Sequence, residues 1–186
     1  KQDEFSSIFG GLNLIHYKKN KVTVEPIKLN KPTISKLQKS SLLFSIDKQR
    51  ATSDSILSKQ VEQTKTNKQT ISALHDAANL ALELRDQLRS NNISEFGNIL
   101  NRSWELKKKY TSSVTNKKID LIIHTALKHG ADGIKITGAG GGGHLYCYAH
   151  SKKHSNIINK LKKLGVERVY FKYQSEGATV FNTNCF

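Results

Sequence analysis

An α+β fold of the ferredoxin-like, split-βαβ kind is what the sequence predicts, and three features predict it. The stretch 135–146, KITGAGGGGHLY, reads as two short β-segments joined by a glycine loop. Apolar residues at 71, 74, 78, 81, 82 and 88, at 119, 122, 123, 126 and 127, and at 157, 158, 161 and 164 keep helical spacing. Compact apolar runs at 41–46 and 166–173 have the length of strands. Counted from Ser41, the order is strand, helices, strand, strand, helix, strand: βαββαβ with extra helices in the first crossover.

Ahead of that unit, residues 1–9 place Phe5, Ile8 and Phe9 at helical spacing, and Gly10-Gly11 ends the turn. Residues 12–17 and 21–26 alternate apolar with polar about Lys18–Asn20, which predicts a hairpin. The polar stretch 28–41, interrupted by Pro32, reads as a linker. A boundary is therefore expected near residue 40, dividing the chain into 1–40 and 41–186. After the strand 41–46, residues 47–65 carry a moderate helical pattern and 70–89 a strong one. Ser94 is expected to cap a helix holding Phe96, Ile99, Leu100, Trp104 and Leu106. Thr115 or Asn116 caps the next, which ends at Gly130. Beyond the glycine loop, 151–164 is a helix stopped by Gly165, and 166–173 and 178–181 are strands about a turn containing Gly177.

The loop itself, Gly138, Ala139, Gly140, Gly141, Gly142 and Gly143, holds five of the twelve glycines. Each ordered glycine gives up more backbone entropy than any other residue, and only glycine accepts positive φ without steric cost. Such a loop suits close approach of a ligand to the backbone, and successive amides make a nest for an anion such as phosphate. A floppy hairpin turn is the plainer alternative. The loop lacks the Lys-Ser/Thr ending of the P-loop, and the strand that follows it excludes a Rossmann turn.

Lysine and arginine number 30 against 15 acidic residues, a formal charge of +15. The lysines are spread along the chain, many on polar helix sides, so solvated faces account for the charge before an anionic substrate or nucleic acid does. No run approaches the ~20 apolar residues of a membrane span, and the N-terminus is not a signal peptide. Cys147 and Cys185 make no metal or disulfide framework, which fits a reduced, cytoplasmic setting. The chain opens on Lys1-Gln2-Asp3 and holds no methionine; it reads as the later portion of a longer protein or a truncated product.

Among single residues, Asp3 sits one turn before the Gly-Gly break, where a cap or a solvated carboxylate is the ordinary role. The seven histidines do not group into a metal-ligand set, and His144, next to the loop, reads first as a solvent-facing strand-edge residue. Arg50 follows the strand 41–46, where ligand-facing residues often sit. Trp104 reads as core and 107–109 as a solvated cationic face. Tyr146 and Tyr148 leave a rival open: a basic ferredoxin-like module for RNA or an acidic partner, without an RNP signature.

TGAGGGG after a strand resembles the third, glycine-rich motif of the GHMP small-molecule kinases, which include galactokinase, homoserine kinase, mevalonate kinase and phosphomevalonate kinase. KQDEFSSIFGGLN looks like the segment that carries their catalytic aspartate. With SWELKKKY, SVTNKKID and YFKYQSEGATVF it is most similar to the D-glycero-D-manno-heptose 7-phosphate kinase branch, through nearly the whole chain. The resemblance implies a GHMP C-terminal domain from about Ser41, preceded by the tail of the N-terminal domain. It implies ATP-dependent transfer of the γ-phosphoryl group to a sugar hydroxyl, with Asp3 orienting or deprotonating that hydroxyl. Gly138–Gly143 would shape the phosphoryl-transfer pocket, and Arg50 and Lys107 are candidates for a second anionic group of the substrate. The expected ligands are ATP, Mg²⁺ and a sugar phosphate, with no membrane partner and a homodimer compatible with it.

The family's PxxxGLGSSS motif, its Mg²⁺ ligands and its first substrate motif belong upstream of Asp3. Glu4 stands where QDQ is usual, and DKQRAT at 47–52 lacks the glycine of TGxxR while keeping Arg50. The chain alone is accordingly expected to be inactive without an N-terminal half, or to be an inactive kinase remnant.

Overall fold

The computed structural model describes residues 2–47 and 53–179. Its elements in order are α1 (Gln2–Phe9), β1 (Leu12–Lys18), β2 (Lys21–Ile27), α2 (Lys31–Lys39), β3 (Ser41–Asp47), α3 (Ser53–Thr66), α4 (Lys68–Arg89), α5 (Phe96–Lys108), α6 (Lys117–Lys128), β4 (Gly133–Ile136), β5 (Gly143–Tyr148), α7 (His154–Lys162) and β6 (Glu167–Val169). Single 3₁₀ turns at Ser112–Val114 and Ser151–Lys153 precede α6 and α7.

The main sheet has the order β4-β5-β3-β6, with every neighbouring pair antiparallel. Numbered within the unit, that is 2-3-1-4, the split-βαβ arrangement the sequence predicts. Its pleat sorts the side chains by parity. Leu42 opposite Cys147 and Phe44 opposite Leu145 point to one face. There they meet Ile134 and Ile136 of β4, Ile119, Ile122, Ile123 and Ala126 of α6, and Ile157 and Leu161 of α7 in one buried cluster. Leu43 opposite Tyr146 and Ser41 opposite Tyr148 point to the other face. A second cluster covers that side, built from Leu37, Leu88, Ile93 and Tyr148, with Leu12, Ile27, Leu29, Phe96 and Leu100 packed against it. Both faces of the sheet are therefore dry.

Three local expectations are revised. The stretch 28–41 is not a bare linker. Asn30 Oδ1 accepts the Thr33 amide at 2.8 Å, Pro32 fits the first turn where no N–H is needed, and Leu37 is buried, so α2 forms there. Ser94 does not cap α5. Its amide and hydroxyl both bond Asn92 Oδ1, at 3.0 and 2.9 Å, and the cap position falls to Glu95 without a side-chain bond. The last expected strands shrink to Glu167–Val169; Ala178 and Thr179 are not in a strand, and Val180 and Phe181 lie outside the described residues. Segment 174–178 instead runs beside α1, with Gly11 N–H donating to Gln174 O at 2.8 Å and Ala178 N–H to Ser7 O at 3.0 Å.

The β1–β2 hairpin is tied to α4 through Glu25, whose carboxylate lies 2.9 Å from Arg89, 3.9 Å from Arg85 and 3.5 Å from His16. Among the described residues no helix is long and apolar enough to cross a membrane.

Edge strand β4 is covered by α5. A methyl group on Gly133 would overlap the Gly97 carbonyl, so the two backbones touch. Four residues on, Asn101 sews the contact. Its Nδ2 donates to Asp132 O and its Oδ1 accepts from Ile134 N–H, both at 3.0 Å. Asn101→Ala would leave both groups of the edge strand without their partner. Its expected cost is about 1–3 kcal/mol, read as a lower urea midpoint at unchanged m-value.

Candidate functional site

Loop 138–143 is ordered by its backbone conformation. Gly138, Gly140, Gly141, Gly142 and Gly143 have φ of 67°, 105°, 71°, 141° and 89°, all positive. Alanine or larger residues in these places would be strained. The one non-glycine, Ala139, packs against the core. The loop is held on three sides. Gly141 N–H donates to Val114 O at 2.7 Å, and Gln60 Nε2 of α3 to Ala139 O at 3.3 Å. Lys107 Nζ of α5 donates to Gly138 O. A methyl on Gly141 would come within 2.5 Å of Ile56 Cδ1, and one on Gly140 within 3.1 Å of Val114. It is a pinned turn, not a floppy one.

Among the described residues, the amides of Gly138, Ala139, Gly140 and Gly142 have no protein acceptor. Unpaired N–H groups in one positive-φ turn form an anion nest. Room exists beside it: nothing lies within 4 Å of where a side chain on Gly138 would begin.

The cations behind the loop were not legible as a pair. Lys107 is 8% exposed, not part of a solvated face. Its neighbours Lys108 and Lys109 do meet solvent, and Lys108 pairs with Glu105 at 2.7 Å. Lys135, between buried Ile134 and Ile136 of β4, points to the opposite face and donates to Ser103 Oγ at 2.6 Å. Burial, then the charge of Lys135, lowers the Lys107 pKa to about 8; burial lowers that of Lys135. The available signals were a lysine inside the apolar run GIKI and a serine four residues before Lys107.

Asp3 lies exposed in the first turn of α1, and no hydrogen bond or ion pair joins it to the loop among the described residues. Arg50 falls outside those residues. Trp104 is core, and His144 is exposed, its carbonyl accepting from Thr137 N–H at 2.9 Å. His150 and His154 have the four-residue spacing of a helical metal pair. His150 Nδ1, however, accepts the Lys152 amide at 3.2 Å, and His154 Nε2 lies 3.1 Å from Ala149 O. No group of three metal-binding side chains gathers among the described residues.

Tyr146 and Tyr148 do not form a base-stacking platform. Phe96 of α5 lies over both rings, at 6.2 and 5.0 Å. The Tyr146 hydroxyl is 2.5 Å from Ser41 Oγ and 2.6 Å from the Tyr173 hydroxyl. The helices on this face fill the surface an RNA strand would need.

The site is thus a pinned glycine loop at one end of a ferredoxin-like sheet in an α+β domain. Residues 84–167 match the family profile described as GHMP kinases C terminal. Over 167 residues it is 28% identical to a D-glycero-alpha-D-manno-heptose 7-phosphate kinase of Campylobacter jejuni, covering 87% of this chain and 48% of that protein. The D-glycero-D-manno-heptose 1-phosphate kinase of Bacteroides thetaiotaomicron superposes with a TM-score of 0.67 at 22% identity, over 98% of this chain and 49% of that one. The L. major mevalonate kinase in complex with R-mevalonate gives 0.70 at 20%, over 87% and 47%. These two likenesses show the fold. The chain spans about half the length of each of the three relatives.

A depressed lysine pKa has a defined sign. Below about pH 8 Lys107 is charged both folded and unfolded, and the full cost of burying that charge is present. As pH rises from about 8 towards the ordinary 10.5, the folded state sheds the proton first and the cost is relieved. The native chain is therefore expected to gain stability relative to Lys107→Met across that window, measured as urea midpoints at stepped pH. A second outcome concerns the turn. Gly141→Ala adds φ strain and a contact with Ile56, and is expected to cost about 1–3 kcal/mol by the same measurement.

Proposed function

We propose that this chain forms the C-terminal part of an ATP-dependent sugar-phosphate kinase of the heptose 7-phosphate kinase kind. The observation that carries the proposal is the glycine loop: five positive-φ positions, pinned by three hydrogen bonds, with four amides that meet no protein acceptor among the described residues. The 28% identity to a heptose 7-phosphate kinase supports it. In this reading residues 1–40 close the kinase's N-terminal domain and 41–186 make its C-terminal domain, in a cytoplasmic enzyme.

The residues present suit a phosphate. Preorganised N–H groups stabilise charge that develops on phosphoryl oxygens at little reorganisation cost. ATP, when bound with Mg²⁺, supplies the γ-phosphoryl group; no described residue is assigned to the metal. The amides of Gly138, Ala139, Gly140 and Gly142 hold phosphoryl oxygens, and Gly141 and Gly143 keep the turn in shape. Asp3 takes the proton of the attacking sugar hydroxyl. Arg50 and Lys107 are assigned to a second anionic group of the substrate.

The test is ATP-dependent phosphorylation of heptose 7-phosphate by the polypeptide that contains this chain. Failure to phosphorylate any sugar or sugar phosphate overturns the proposal. Asp3→Asn is expected to lower kcat by about 10²–10⁴ while leaving the melting temperature in place, because the side chain is exposed. Near-native turnover would remove Asp3 from the chemistry.

A further inference from the structure

Helix α1 carries Asp3, yet little of it is packed. Of residues 3–9 all but Phe5 are exposed. A hollow of about 570 Å³ is lined by Phe9 and Gly11 at the helix's end and by Ile34 and Leu37 of α2, so that end does not close onto the core. What meets α1 instead is a strap, residues 171–178, which has no regular secondary structure. Gly11 N–H donates to Gln174 O at 2.8 Å, and Ala178 N–H to Ser7 O at 3.0 Å. The two backbones touch here. A methyl on Gly177 would overlap the Ile8 carbonyl, and one on Gly10 the peptide between Glu176 and Gly177. Ser7 passes the contact to Asp3, since its hydroxyl donates to Asp3 O one turn earlier at 2.9 Å.

The other end of the strap is fastened to the main sheet. Gln38 of α2 grips it with both halves of its amide. Its Oε1 accepts from Tyr173 N–H at 2.7 Å, and its Nε2 donates to Phe171 O at 3.3 Å. With β6 ended at Val169, that side chain stands in for a neighbouring strand. The Tyr173 hydroxyl lies 2.6 Å from the Tyr146 hydroxyl, which lies 2.5 Å from Ser41 Oγ. Ser41 in turn donates to Leu37 O at 2.6 Å. Protons running from Tyr173 to Tyr146 to Ser41 to Leu37 O give every hydroxyl an acceptor. Tyr146 stands on β5, three residues beyond Gly143. Bonded contacts therefore lead from the strand that leaves the glycine loop to the turn of α1 that holds Asp3.

We infer that the strap 171–178 fixes the place of α1 relative to the glycine loop, and that Gln38 and Tyr173 are positioning residues for Asp3. The tie stands on the hydrogen bonds; its catalytic meaning rests on the kinase proposal, in which Asp3 takes the proton of the attacking hydroxyl. A carboxylate on a short exposed helix can do that only while the helix is held still. Misplacing a reacting group by about 1 Å costs about 10²-fold in rate.

The test uses the polypeptide that contains this chain, with Gly177→Ala, Gln38→Leu and Tyr173→Phe. Gly177 is not at positive φ, so an alanine there meets Ile8 without backbone strain. In Gly177→Ala and Gln38→Leu, hydrogen exchange is expected to quicken over residues 2–11 and 171–178 and to stay native over β3, β4 and β5. Native exchange at residues 2–11 in both variants overturns the tie. Gly177→Ala is expected to lower kcat by about 10²-fold with little change in KM. Tyr173→Phe, which keeps the ring and loses one hydroxyl, is expected to lower kcat less. In the Asp3→Asn background the same substitutions are expected to cost almost nothing more, because residues that act through one group are not additive. Native kcat in all three variants, equal losses in both backgrounds, or a loss that falls on KM alone overturns the positioning role and leaves the kinase proposal standing. Should Gly177→Ala fail to fold, Gln38→Leu decides. A polypeptide with no kinase activity removes the kinase proposal and the positioning role with it, while quickened exchange would keep the tie.

Discussion

The approach of α5 to the edge strand β4 is the contact on which the rest of the site depends. Gly97 and Gly133 allow the two backbones to touch, and Asn101 fixes their register with one donor and one acceptor. From there helix and strand run side by side. Ser103 meets Lys135, and Lys107 meets Gly138. Ten helical residues rise ~15 Å and five extended ones ~16.5 Å, so the two ladders stay matched as far as the loop. A side chain at either glycine would push the helix off the strand and carry Lys107 away from the turn. The same contact covers the unpaired edge of β4, which otherwise invites pairing with another chain.

The loop shows a trade of stability for shape. Five glycines at positive φ cost conformational entropy, and the buried Lys107 ammonium, with half-buried Lys135, costs desolvation. Neither expense serves packing. The loop is nevertheless tightly set, since Val114, Ile56 and Gln60 restrain it in addition to Lys107. A nest whose amides are already aligned has little to reorganise when an anion arrives. That combination separates this turn from an ordinary hairpin, which two to five residues with one glycine would close.

Burial of both sheet faces also limits what the domain can do. In a ferredoxin-like RNA binder one sheet face is open and carries aromatics for the bases. Here α2, α4 and α5 lie over that face, and Phe96 occupies the place a base would take above Tyr146 and Tyr148. The hydroxyls of Ser41, Tyr146 and Tyr173 satisfy one another beneath. What the helices leave uncovered is the sheet's end, where β4 passes into the loop. The high positive charge is mostly spread over helix surfaces.

Local pattern was enough to reveal most of the elements. Period-3.6 stripes marked α4, α6 and α7, alternation marked the hairpin, and the count of strands and helices gave the split-βαβ order. The glycine loop was legible because glycine at five of six places has few other uses. Helix α2 was missed because its signals, an asparagine cap and a first-turn proline, look the same as those of a polar linker until Leu37 finds its core partners. The Ser94 cap was misplaced by one position: α5 starts at Phe96 with Glu95 as its cap residue, while Ser94 closes a local turn on Asn92. Only the tertiary structure could decide the burial of Lys107 and its company with Lys135. Those residues are 28 positions apart in sequence, and no periodicity couples a helix position to a particular strand position. Sequence determines which way a side chain points from its own element; what waits there depends on which other element is packed alongside.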